Sequence, residues 1–222
     1  MNKAEAEGKL PKPLARKVRT RIQYLTGAVG RVERASGLRY PPYYVEPVLP
    51  IAKSGAEFGE MGVLFARVVP TTITGKLSIL VQFTAALVAF GAKGTIEAVA
   101  AHEFTHYVDF IRRVKSGGMS SEERASTLFE SVYADTDRTV PPSMIFSERS
   151  LVSLVKKKFK AGLSDERLNK KVNEGWIGKK LPMRLVAPEE NVVSVSMGSM
   201  AVTSFDPAVL RKIALIEEKT RR

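Results

Sequence analysis

The chain has 222 residues, a formal net charge of +12, 44% apolar residues, no cysteine and only two histidines. That length and apolar content can fill one core, while the missing cysteine excludes a disulfide scaffold and every thiolate metal site. The longest uncharged run, 77–92, is too short to span a bilayer and carries Gln82. The first ten residues hold no apolar segment of the kind a signal peptide needs, so a cytoplasmic protein without membrane contact is expected.

The charge is uneven along the chain. Residues 1–35 hold nine Lys/Arg against Glu5, Glu7 and Glu33, and residues 151–186 hold ten against Asp165, Glu166 and Glu174. Such blocks attract nucleic acid or acidic substrates by counterion release, or they simply solvate helix faces. No zinc finger, Gly-rich motif or aromatic-interleaved pattern accompanies them, which gives the second reading the greater weight.

In chain order, the first predicted element is a helix over 13–36. Leu14, Val18, Ile22, Leu25, Val29 and Val32 recur at steps of three and four, and Gly37 stops it. Tyr40-Pro41-Pro42-Tyr43-Tyr44 is a stiff extended link, whose tyrosines read as packing rather than cleft residues. Three strands follow. The first, 45–51, is interrupted by Pro47 and Pro50 and belongs at an edge or in an irregular strand. The others are 62–69 and 77–82, joined by a hairpin turn over 70–75. Residues 84–91 are a short helix or a loop.

Residues 94–116 read as one helix, and inside it stands His102-Glu103-Phe104-Thr105-His106, an H-E-x-x-H sequence that uses both histidines of the chain. Residues four apart share a helix face, so two imidazoles can be aimed at one cation, and zinc takes imidazole nitrogen at about 2.0–2.1 Å. Glu103, about 100° round the helix from His102, stands beside such a cation, where its carboxylate can take a proton from water. Two histidines kept for packing alone are the lesser reading, because this spacing with an intervening glutamate rarely arises by chance.

An open catalytic zinc site wants three protein ligands. With no third histidine and no cysteine, the third must be a carboxylate, and Glu122, Glu123, Glu130, Asp135 and Asp137 stand just downstream. Gly117-Gly118 ends the motif helix. Ser120-Ser121-Glu122-Glu123 then reads as a capping box, and Ala125, Leu128, Phe129, Val132 and Tyr133 recur with helical spacing. Two helices so closely joined pack antiparallel. Glu130, in the middle of the second, is best placed to face the histidines; Asp135 is next.

His102-Glu103-x-x-His106 followed by Glu130 on a separate helix resembles the gluzincins, zinc metallopeptidases whose third ligand lies on a "glutamate helix". The resemblance spans roughly residues 60–138. Glu130-Ser131-Val132-Tyr133-Ala134-Asp135 is similar to the family's glutamate followed by an aspartate that orients a ligand histidine, with Ala134 at the family's spacing and Asp135 one residue later. The resemblance implies an α+β, zincin-like fold: an N-terminal backing helix, a small three-stranded sheet, the metal-binding helix and the glutamate helix, with a mixed C-terminal extension. In compact members an edge strand above the cleft holds extended peptide by β-augmentation; residues 62–69 or 77–82 would take that part here.

Past Pro141-Pro142, helices are expected over 150–159, 164–174 and 207–219, the last with Asp206 as N-cap and Pro207 at N1. Residues 181–187, 191–196 and 200–204 alternate like strands, with a turn at 197–199. Residues 1–142 would then form the catalytic domain and 143–222 an extension that completes or covers the cleft, which compact gluzincins use to hold the enzyme latent.

The expected function is a zinc-dependent endopeptidase acting on peptide or protein substrates. Zn²⁺ would be held by His102, His106 and Glu130, with Glu103 as general base. No histidine remains to stabilise an oxyanion, so Tyr133, three residues after Glu130, is the first candidate donor, although a core tyrosine on an apolar helix face is the weightier reading there. Two other readings stand beside this one: a nucleic-acid-associated basic protein with a structural or degenerate metal site, and a protease acting on DNA-bound proteins.

Overall fold

The apolar stripe of the first helix forms as its spacing dictates. In the computed structural model, which describes residues 8, 10–53, 61–115, 140–160, 162–186 and 203–221, α1 runs Lys12–Ser36. It buries Val18, Leu25, Val29 and Val32, and it stops at Gly37, whose φ of 71° is the left-handed cap that glycine adopts without strain.

Among the described residues the fold is α+β, with seven α-helices and two small mixed sheets. The strands are β1 (Tyr43–Glu46), β2 (Leu49–Lys53), β3 (Met61–Val63), β4 (Ala66–Ile73), β5 (Lys76–Thr84) and β6 (Met183–Val186). One sheet has the order β1-β5-β4, with β1 parallel and β4 antiparallel to the central β5. The other has the order β3-β2-β6, with β2 antiparallel to β3 and parallel to β6.

The strands expected over 45–51 and 62–69 are each cut in two by a change of sheet. Pro47 ends the first, and the Glu46 carboxylate accepts a hydrogen bond from the Val48 N–H at 3.1 Å just beyond it. Pro50 falls in β2, the centre of its sheet rather than an edge. It stands opposite Arg184 of β6 and one residue outside the β3 register, and its carbonyl accepts from Leu64 N–H at 3.0 Å. The hairpin turn is also shorter than 70–75. Pro70 stays within β4 opposite Ile79, and Thr74 and Gly75, both at positive φ, form the two-residue loop. A proline is tolerated there because β4 is paired on one side only among the described residues.

The helices that follow are α2 (Ala85–Phe90), α3 (Lys93–Lys115), α4 (Pro142–Ile145), α5 (Arg149–Lys158), α6 (Glu166–Val172) and α7 (Pro207–Arg221). Residues 84–91 are thus a helix, with Thr84 Oγ1 accepting from Leu87 N–H at 3.2 Å as its cap. Asp206 caps α7 through Ala208 N–H at 2.8 Å. After α6 a single π turn, Asn173–Ile177, buries Trp176, whose indole N–H donates to the Pro182 carbonyl at 3.1 Å. The glutamate helix expected after 117 and the strand at 191–196 lie outside the described residues, and residues 203–204 are irregular. No described helix is long and apolar enough to cross a membrane.

α1, α4, α5, α7 and β4 all pack on α3. Arg31 of α1 ties this bundle together, binding Glu97 of α3 and, from Nε at 3.1 Å, Glu148 before α5. The hydrogen bond from Arg31, then that from Ser150, hold the Glu148 carboxyl down at about 2. Because this value lies below the ordinary 4.5, the contact stabilises fully above that pH and is lost as pH falls from 4.5 through about 2. In urea unfolding across that window, Glu148→Gln should remove part of the wild-type loss of stability; an unchanged profile contradicts the contact. Leu25→Ala, at a fully buried α1 position, should cost about 2–5 kcal/mol in the same assay.

Candidate metal and catalytic centre

Helix α3 is enclosed on every side. Across residues 95–111 only Tyr107 reaches solvent to an intermediate degree. A helix so enclosed is normally apolar all round, yet this one buries Glu97, His102, Glu103, His106 and Asp109. The groups near its ends have partners that neutralise them. Glu97 binds Arg31, while Asp109 holds Arg112 and Arg113, each at 2.7 Å, as i,i+3 and i,i+4 pairs on its own helix.

The three in the middle behave differently. The His102 and His106 rings stand at 87° to each other, with Nε2 to Nε2 at 2.9 Å. Two nitrogens bound to one tetrahedral zinc at about 2.0–2.1 Å lie about 3.3 Å apart, so a few tenths of an ångström separate this pair from the spacing a shared cation requires. His102, Glu103 and His106 line a cavity of about 170 Å³, whose remaining wall comes from residues 62–66, Val99, Phe159, Gly162 and Leu163. The donor set fits a soft-to-borderline divalent ion, with a carboxylate beside it suited to holding a proton.

The surroundings fix these side chains. Phe159, at the end of α5, stacks face to face on the His102 ring, with centroids 3.8 Å apart and planes 7° from parallel. Behind the helix Tyr40 is buried, stacks on Phe104 at 5.3 Å and donates its hydroxyl to the Ala100 carbonyl at 2.9 Å. Burial, and then the nearby Glu103 charge, hold the Tyr40 phenol well above its ordinary 10, so it remains neutral under the motif. Neither contact was legible. Phe159 comes from an amphipathic helix with no distinguishing pattern, and the extended Tyr40–Pro41 link signalled packing but no particular partner.

Sequence reasoning left open which strand borders the cleft. β5 is paired with β4 along residues 76–83 but with β1 only at 81–84, so among the described residues 77–80 are paired on one side only; the β3–β4 junction lines the cavity. Glu130, Asp135 and Tyr133 lie outside the described residues, as do Glu122, Glu123 and Asp137. The structure therefore brings together His102, Glu103 and His106, and among the described residues no group of three or more acidic or histidine side chains is placed to hold a metal. No protein-family model matches the chain, and no curated protein or solved structure is significantly similar to it.

Phe159→Leu keeps apolar volume and removes the stacked ring. It should cost about 0.5–1.5 kcal/mol and abolish the upfield ring-current shift of the His102 ring protons in NMR spectra; an unmoved His102 resonance contradicts the stack.

Proposed function

We propose that the protein is a zinc-dependent endopeptidase of gluzincin type, with a zincin-like arrangement of α1, the β1-β5-β4 sheet and α3. The observation that carries this reading is the convergence of His102 Nε2 and His106 Nε2 at 2.9 Å on the wall of a cavity that Glu103 also lines. His102 and His106 would hold the ion, with Glu130 as the third ligand and Asp135 as a partner orienting a ligand histidine. When bound, zinc would supply polarisation of the scissile carbonyl and a water whose pKa is lowered toward about 7.

The chain's own groups do the rest. Glu103 takes the proton of the attacking water and hands it to the departing amine nitrogen, so the peptide bond breaks with no net proton change. A substrate main chain laid along the β3–β4 junction would be held by β-augmentation, and Tyr133 is the candidate donor to the developing oxyanion. The C-terminal third completes the cleft in this reading, because Phe159, Gly162 and Leu163 form part of its wall.

The test compares purified wild type, Glu103→Gln and Glu130→Ala for zinc content and for cleavage of an unfolded protein. Glu103→Gln should keep its zinc and lose about 10²–10⁴-fold in turnover, while Glu130→Ala should lose most of the metal. Full activity in Glu103→Gln would remove the proposed base and the mechanism with it.

A further inference from the structure

The two basic blocks of the sequence are distant in the chain and adjacent in the fold. Helix α2 is the reason. Its residues from Ala85 to Ala89 are buried, with α1 and α6 both packed against it. Phe90 at its end is clamped by Gly175, where a β-carbon would come within 2.8 Å of the ring. Lys17 of the first block lies over the same ring, 4.5 Å from its centroid. Lys158, Arg167 and Lys171 of the second block line a concavity of about 560 Å³ that Phe90 also lines. Burial, then the like charges of Arg21 and Lys171, lower the Lys17 ammonium below its ordinary value, as expected of cations crowded together.

We propose that this concavity and the adjoining Lys17 face of α1 form a nucleic-acid-binding surface that grips the phosphate backbone, apart from the His102–His106 cavity. Nothing in the proposal depends on the peptidase reading. Some charge here is already committed to the fold: Arg21 donates to the Val88 and Gly91 carbonyls, and Lys158 holds Asp165 at 2.8 Å. Asp165 and Glu166 also line the concavity, but Arg167 and Lys171 are exposed beside them. A membrane is the poorer fit, because an anionic bilayer surface takes apolar side chains as well as charge. The large exposed apolar residues described, Tyr44, Ile73, Met183, Leu185 and Leu215, all lie on other elements. A phosphodiester backbone needs only concave cationic surface and a favourable counterion release, which a chain of +12 provides.

The experiment measures binding of a fluorescein-labelled 20-base oligonucleotide, single-stranded and duplex, to the full-length chain by anisotropy across a salt series (about 50–200 mM). Wild type is compared with Lys17→Glu/Arg167→Glu/Lys171→Glu and with a control of equal charge change on other elements, Lys76→Glu/Arg211→Glu/Lys219→Glu. The expected result is wild-type binding of at least one form, a loss of about tenfold or more in the first triple variant, and a log–log salt slope shallower by about 2 to 3. The control should lose far less. Should the first triple variant melt early by circular dichroism, Arg167→Gln/Lys171→Gln at exposed helix positions serves in its place. No wild-type binding at low salt, equal losses in both triple variants, or vesicles of anionic lipid binding more tightly than the oligonucleotide would each overturn the proposal.

Discussion

The constraint on which the rest depends is that α3 has no solvent face where its motif lies. Buried polar groups need partners, and α3 buries five ionisable side chains. At its two ends the acids Glu97 and Asp109 are matched by arginines, two of them from the helix itself and one from α1. In the middle, two imidazoles and a carboxylate share one small cavity. The Glu97–Arg31 pair ties the helix to α1, while the Asp109 pairs stay within α3.

Around that centre the packing is specific to side chains rather than to backbone. The His102 ring is fixed between its i+4 partner and Phe159, while Phe104, pointing the other way, is stacked on Tyr40. The cavity wall opposite α3 exists because the chain leaves one sheet at Val63 and enters another at Ala66, so residues 64–65 cross over the motif without belonging to either. The C-terminal third is part of the same construction. β6 pairs with β2, α5 packs on α3, and Phe159, Gly162 (φ 85°) and Leu163 line the histidine cavity.

The legible parts were those with a long period. α1, α3 and α7 appeared within about two residues of their apolar spacing and their Gly37 and Asp206 boundaries, and H-E-x-x-H on a helix placed His102, Glu103 and His106 in one cavity. The strands were harder. Val63, Leu64, Phe65, Val68 and Val69 form one apolar run, and a run of that kind carries no mark of where the chain changes sheet. Pro70 read as a turn because prolines usually end strands, yet on a strand paired at one side it is accommodated. Phe159 and Tyr40 reach the motif only through tertiary packing, across 57 and 62 residues from His102. The proximity of the two basic blocks likewise has no trace in the sequence, since it depends on α2 lying between α1 and α6.

The central claim is that His102 and His106 grip one cation together, and zinc X-ray absorption on the purified chain tests it most directly. With one equivalent of zinc bound, the spectrum should show two imidazole nitrogens and oxygen donors at about 2.0–2.2 Å, with one imidazole lost in either His102→Ala or His106→Ala. No stoichiometric zinc, or a spectrum without paired imidazoles in the wild type, would contradict the account.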